Sequence, residues 1–282
     1  MTRIMIGAYD MASDGKSDLF VYRLLTCHGY PAGGDSVSGL FVMSLLGLLK
    51  LPVNSKSYKL REVILRCSQY HDVRILFARF DMDPNLELNQ THRQFITNNA
   101  EGGTILVLNI GAHFAVRYKA YFRDKVAALF QWIRQYTRPD RDLVFFREIV
   151  PGHPNCEPRA APTRQVLQKG FQIYPYSSYN EYRKDFEDAW TDNSSELLYG
   201  WDLFEGYNEY IKDILKSEWW TKCHSRLPIY WLNVFNSTIL RRDGHYGCNA
   251  FFCDCLHYLI PGPTDWFVHL WFSSLLDLVN PE

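Results

Sequence analysis

Four short apolar runs punctuate the chain, at residues 73–80, 105–109, 143–150 and 229–235. Each is rich in β-branched or aromatic residues, close to strand length, and nearly continuous in its apolarity rather than alternating. That pattern belongs to strands covered on both faces, as in a parallel sheet flanked by helices. Around them the spacing changes to a helical one, over 40–49, 118–136, 201–219 and 267–278. In the third of these, Leu203, Phe204, Tyr207, Tyr210, Ile211, Ile214 and Leu215 mark a single face. Strands alternating with helices predict an α/β fold with a mostly parallel sheet. The segment 151–199 breaks the rhythm with Pro151, Pro154, Pro158, Pro162, Pro175 and scattered charge. It reads as a long loop insertion over the strand ends, within one domain that covers 1–282. Sites in open α/β sheets form at the carboxyl ends of the strands, where such loops gather.

Composition narrows the function classes. Eight Trp, eighteen Tyr and eighteen Phe supply the bulk of a large core, and exposed rings among them would suit stacking on sugars. A formal net charge of −1 without any Lys/Arg block argues against a nucleic-acid binder, since the balance implies no basic face. No segment predicts a membrane span. The run 40–49 is half the roughly 20 residues a bilayer helix needs, and 267–279 contains His269 and Asp277. The first ten residues lack the apolar stretch of a signal peptide. Seven cysteines, at 27, 67, 156, 223, 248, 253 and 255, are odd in number and irregularly spaced, so they define no disulfide framework. The sequons at Asn89, Asn193 and Asn236 are near chance expectation. Cys223, His224, His245, Cys248, Cys253, Cys255 and His257 form a Cys/His-dense stretch, but the paired spacings of structural zinc are missing. No metal and no cofactor are expected.

Candidate chemistry lies near the two ends. Asp254 stands three residues before His257, and Pro261-Gly262-Pro263 follows. At that spacing the two can share one turn, with the carboxylate on Nδ1–H and Nε2 free as a base. A nucleophile is available in Gly34-Asp35-Ser36, just before the helical run 40–49. Ser36 then sits at a loop-to-helix junction with its amide at a helix N-terminus. Asp254 and His257 follow the last predicted strand and precede the last helix, so both halves fall on the same rim. Pro31 with Gly29, Gly33 and Gly34 weakens any central strand that leads into Ser36. Arg147, after two aromatics at a strand end, reads either as an ion-pair partner or as a substrate contact. His113 and His153 read as hydrogen-bonded loop residues, and Trp219, Trp220 and Trp231 as core.

Five blocks in order carry a resemblance. They are Gly34-Asp35-Ser36 with the helix after it; 106–114, with Asn109; 144–153, with Phe145-Phe146-Arg147; Tyr199-Gly200-Trp201-Asp202; and Arg242-Asp243-Gly244-His245 leading to Asp254-Cys255-Leu256-His257. The pattern resembles the SGNH-like acyl-esterase/acyltransferase group, which includes the trichome-birefringence-like polysaccharide O-acetyltransferases and the PC-esterase proteins. The resemblance implies a flavodoxin-like three-layer sandwich with Ser36 as nucleophile, His257 as general base and Asp254 as its orienting partner. Asn109 matches the position whose amide helps bind the oxyanion. By resemblance, Cys255 pairs with Cys156. The implied activity is O-acyl transfer, acetyl first, onto carbohydrate hydroxyls, with an acyl donor as co-substrate. Hydrolysis by the same acyl-enzyme is the alternative, and a catalytically inactive carbohydrate-binding module is the other. The family suggests the Golgi lumen or secretory pathway, whereas this chain has Gly39 where plant members carry an Arg, and Leu259 where they carry a Cys.

Overall fold

A computed structural model describes residues 28–34, 36–48, 61–67, 71–79, 103–114, 119–154, 156, 177–184, 200–217, 228–248 and 253–279. Six strands form one sheet: β1 (His28–Gly34), β2 (Arg61–Cys67), β3 (His71–Arg79), β4 (Gly103–Leu108), β5 (Leu143–Arg147) and β6 (Ile229–Leu232). Their order is β2-β3-β1-β4-β5-β6. Only β2 runs antiparallel, against β3; every other pairing is parallel. The parallel strands therefore follow the flavodoxin-like doubly wound order, with the strand order reversing between β1 and β4. Connections leaving those two neighbours lead to helices on opposite sides of the sheet, the arrangement at which open α/β sheets place their ligand sites.

Side-chain alternation on β5 sorts the helices into two layers. Phe145 faces Trp271 of α5 (Pro263–Val279), with ring centroids 6.3 Å apart. Trp271 in turn meets Phe41 of α1 (Ser36–Leu48) edge-on at 5.8 Å. Phe146, on the opposite face, stacks with Phe130 of α2 (Phe122–Tyr136) and with Trp231. On that side Phe122 stacks on Tyr207 of α3 (Phe204–Lys216) at 3.9 Å. The sheet is thus covered on both faces, which is why its strands read as unbroken apolar runs. Phe145, Phe146, Trp271, Phe130 and Phe204 are fully buried, and each contributes about 1.5–3 kcal/mol through burial.

Several elements depart from the sequence reading, three of them among the strands. The Pro/Gly-rich lead-in to Ser36 is a central strand after all. β1 pairs continuously with β3 from Tyr30 to Gly34, while its ladder with β4 skips Tyr30 and Pro31. Proline has no N–H to donate, so the strand keeps one neighbour intact and interrupts the other. β2 was not anticipated, because its apolar core is only Val63-Ile64-Leu65 between charged residues. The third departure is a two-stranded antiparallel hairpin, β7 (His245–Cys248) with β8 (Cys253–Tyr258), where a turn was expected.

The helices begin where the local chemistry permits. Pro263 opens α5, at a position where a missing N–H costs nothing. Asp265 accepts the backbone N–H of Gly262 at 2.7 Å, and its other oxygen accepts Ser44 Oγ–H of α1 at 2.6 Å. One carboxylate thus caps α5 and ties it to α1. The Ile260–Pro261 peptide just before is cis. Phe235, expected to end a strand, instead starts the short helix α4 (Phe235–Thr238). Of the segment 151–199, residues 151–154, 156 and 177–184 are described, and 179–184 are helical. No helix among the described residues is long and apolar enough to cross a membrane.

Candidate active site

The hairpin explains how an Asp and a His three apart come together on a strand. His245 pairs with Tyr258, and Gly247 pairs with Asp254. Between these positions β7 has Tyr246 alone, while β8 has Cys255, Leu256 and His257. The surplus makes β8 arch outward, and Gly247 meets the irregularity with a φ of 72°. Within the arch, Asp254 Oδ1 accepts the backbone N–H of Leu256 at 3.3 Å and of His257 at 3.0 Å. Both Asp254 oxygens lie 2.9 Å from His257 Nδ1. In a regular strand these side chains would point to opposite faces. Burial opposes ionisation of Asp254, but the His257 ring and the two amides outweigh it, holding its pKa below the usual aspartate value. The pair keeps access to solvent, with side chains 22% and 27% exposed.

Other contacts fix the arch to the sheet. Cys255 is disulfide-bonded to Cys156, with Cα atoms 5.4 Å apart. The N–H of His153 donates to the Cys255 carbonyl at 3.0 Å, and Tyr258 Oη–H to the Pro151 carbonyl at 3.2 Å. The loop after β5 is itself clamped. Asn208 of α3 donates to the Ile149 carbonyl and accepts its N–H, at 2.9 and 2.8 Å. Buried Glu148 accepts from Trp231 Nε1, the Phe235 amide and Lys212 Nζ at 2.7–2.9 Å. Gly152 lies flat on the Trp201 ring, where a Cβ would collide with the indole.

Ser36 is the first residue of α1, directly beyond the carboxyl end of β1. Its backbone amide is among the first-turn donors that lack an intrahelical acceptor. Its side chain and the whole of Asp35 lie outside the described residues. Ser38, two residues on, is described: its Oγ accepts Arg147 Nη2–H at 3.0 Å. Arg147 is fully buried, and its Nη1 donates to the Glu148 carbonyl at 2.8 Å. The Arg147 carbonyl accepts Asn109 Nδ2–H at 2.9 Å. Arg147 thus links the first turn of α1 to Asn109 at the end of β4, across the point where the strand order reverses. α1 also packs against β8.

Residues 88–274 match the family model for PC-esterase, described as the GDSL/SGNH-like acyl-esterase family found in Pmr5 and Cas1p. The chain belongs to the PC-esterase family. That match spans well over half of the chain and includes Asn109, Asp254 and His257; it begins beyond Ser36. The SGNH-like α/β fold and an acyl-esterase or acyltransferase type of activity come with membership.

In this PC-esterase, the structure brings Asp254 and His257 into direct contact and joins Asn109 to the Ser36 turn through Arg147. Asn109 is fully buried; one of its two amide hydrogens is committed to Arg147, and Oδ1 has no hydrogen-bond partner among the described residues. The loop from Asn109 turns through Gly111, whose φ of 146° and contact with the Ile149 side chain leave no room for a Cβ. Among the described residues Arg147 bonds a serine hydroxyl and a carbonyl; the four apolar β5 residues before it are the signal that buries it. His113 sits part-buried in the Asn109 loop. His153 is a hydrogen-bonded loop residue as read, and its partner His245 was not foreseen. Cys255, in its disulfide, is no longer a thiol that could hold a metal.

Proposed function

We propose that the protein is a serine-dependent O-acyltransferase, acting as one domain and passing an acyl group, acetyl first, to carbohydrate hydroxyls. The observation that carries the reading is the two-oxygen grip of Asp254 on His257 Nδ1, on a strand that packs against the helix beginning at Ser36. That grip places the ring proton on Nδ1 and the lone pair on Nε2, the tautomer a general base requires. Ser36 Oγ attacks the donor's acyl carbonyl while His257 Nε2 takes its proton. The Ser36 amide and Asn109 Nδ2 bind the developing oxyanion, an interaction for which losing one donor costs about 10²–10³ in rate. The tetrahedral intermediate collapses to acyl-Ser36, and His257 returns the proton to the departing donor. In the second half, His257 takes the proton of a sugar hydroxyl as its oxygen attacks the acyl carbon, then gives it to Ser36 Oγ as the acyl–Ser36 bond breaks.

Such a cycle needs no cofactor beyond the acyl donor, whose identity the chemistry leaves open. The Cys156–Cys255 bond supports an oxidising compartment, in keeping with the secretory pathway. Hydrolysis is the second reading, favoured by the family's description as acyl-esterases; water then replaces the sugar in the second half-reaction.

A fluorophosphonate serine probe tests the core of the proposal. Wild type is expected to label and Ser36→Ala to remain unlabelled, with matching circular dichroism. Equal labelling of both, or none in the folded wild type, overturns the serine mechanism and leaves a carbohydrate-binding module. Mass spectrometry of oligosaccharides incubated with an acetyl donor then separates a gain of acetyl from simple donor hydrolysis.

A further inference from the structure

Two buried imidazoles adjoin the Asp254–His257 pair and take no part in the acyl chemistry. His153, after β5, and His245, at the start of β7, make three polar contacts in a line. His153 Nε2 lies 2.9 Å from the Ile239 carbonyl oxygen. His153 Nδ1 lies 2.5 Å from His245 Nε2. His245 Nδ1 lies 3.1 Å from the carbonyl oxygen of His257 itself. Both rings are almost wholly shielded from water.

The protons of this line can be counted. An imidazole nitrogen has one in-plane position, occupied by either a proton or a lone pair. All four nitrogen positions are engaged by the three contacts, and both ends of the line are carbonyls, which only accept. Two neutral rings bring two protons to three contacts. Two facing lone pairs are untenable at the central distance, so one proton lies between the rings. The other serves either the Ile239 carbonyl or the His257 carbonyl, never both. A third proton completes all three hydrogen bonds.

We propose that His153 and His245 form one buried proton-binding site, whose state decides whether the backbone carbonyl of His257 receives a hydrogen bond. With the extra proton bound, His245 Nδ1–H always donates to that carbonyl and braces the arch of β8. Without it, the two tautomeric arrangements compete and the brace is intermittent. The proton count stands apart from the acyl chemistry; its effect on turnover rests on His257 being the base.

The surroundings set when the proton enters. Burial is the main opposition for both rings, bringing His153 down to about 4 and His245 well below the usual histidine value. The Arg242 charge also disfavours a cation at His153, and Asp243 favours it. His257 faces His245 and opposes its protonation. Tyr182 meets His153 edge-on at 5.5 Å, and Tyr258 stacks on His245 at 4.2 Å. Uptake therefore belongs to acidic conditions, with the pair uncharged at neutral pH.

NMR of the full chain labelled with ¹⁵N-histidine, titrated from pH 7.5 downward while circular dichroism stays native, tests the count. The two rings are expected to titrate together, with a single midpoint and one proton in total, and to show a strongly downfield bridging N–H. In His245→Asn, whose amide stands where Nδ1 stood, the bridging signal is expected to vanish and His153 to titrate alone. Separate midpoints with one proton on each ring, or a His153 signal indifferent to the loss of His245, would overturn the proposal. If His245→Asn does not fold, the wild-type proton count decides by itself. Ser36→Ala is expected to titrate like wild type, so that a failure of the serine chemistry is read separately.

Discussion

Asp254 holds His257 Nδ1 through both carboxylate oxygens while receiving the backbone N–H of the same residue at 3.0 Å. The imidazole is thus fixed in tautomer by the carboxylate and in position by the main chain. Asp254→Asn keeps the size of the side chain but presents an amide that no longer selects the Nδ1–H tautomer. Ser36-dependent probe labelling is expected to slow by about 10²–10⁴, with an unchanged fold. An unaltered labelling rate would detach Asp254 from the chemistry.

The Cys156–Cys255 bond closes a long loop, with a sequence separation of 99. Chain-entropy arguments assign about 4–5 kcal/mol to a loop of that length, less whatever the reduced chain regains by relaxing. Cys156→Ala with Cys255→Ala is expected to lower the urea midpoint and to raise the m-value, since the released denatured chain exposes more surface, and to reduce labelling because Cys255 lies inside the arch. Equal midpoints for oxidised and double-variant protein would contradict this.

Stability should depend on pH through the buried histidines. Burial brings the pKa of His153 down to about 4 in the folded chain, against about 6.5 unfolded, so between those values the unfolded chain binds more protons. Stability is therefore highest above about pH 6.5 and falls as the pH drops towards 4. For His153 the loss amounts to about 3 kcal/mol at most. Urea unfolding at pH 7.5 and pH 4.5 reads it directly. In His153→Gln the difference between the two pH values is expected to shrink; an undiminished difference would assign the acid sensitivity elsewhere.

Asp265 joins two helices with one carboxylate. Asp265→Ala removes the cap of α5 and the partner of Ser44 together, and is expected to cost about 1–2 kcal/mol. Ser44→Ala should cost less, because the capping bond to Gly262 survives. A double-mutant cycle measured by thermal unfolding is expected to give a coupling of about 0.5 kcal/mol or more. Strict additivity would mean that the Ser44–Asp265 bond adds nothing to stability.

The parallel half of the fold was legible because burial on both faces leaves a signature in composition. The run at 105–109 overlaps most of β4, the run at 143–150 contains β5, and the helical faces predicted α2 and α3 to within a few residues. β1 was obscured because its information lies in backbone pairing, not in side chains: Gly29, Pro31, Gly33 and Gly34 have little strand propensity, and the neighbouring strands impose the conformation. β8 was read as a turn since Cys253-Asp254-Cys255-Leu256-His257-Tyr258 alternates weakly, and because its arch is a property of the pairing with β7. The Asp254–His257 contact was foreseen correctly for the wrong local geometry. The His153–His245 pair, 92 residues apart, had no sequence signal beyond the presence of two histidines.

The arch of β8 also makes the chain sensitive to length in a way that composition cannot convey. Tyr258 is buried against the core while His257, one residue earlier, faces the site, and both assignments depend on three residues spanning what one spans opposite. Deleting any one of Cys255, Leu256 or His257, or inserting a residue beside them, shifts the frame of everything between Asp254 and Pro261. Conservative replacements there preserve the count and should be survivable, whereas a change of a single residue in length should not. The segment behaves as a ruler, in which the number of residues matters more than most of their identities.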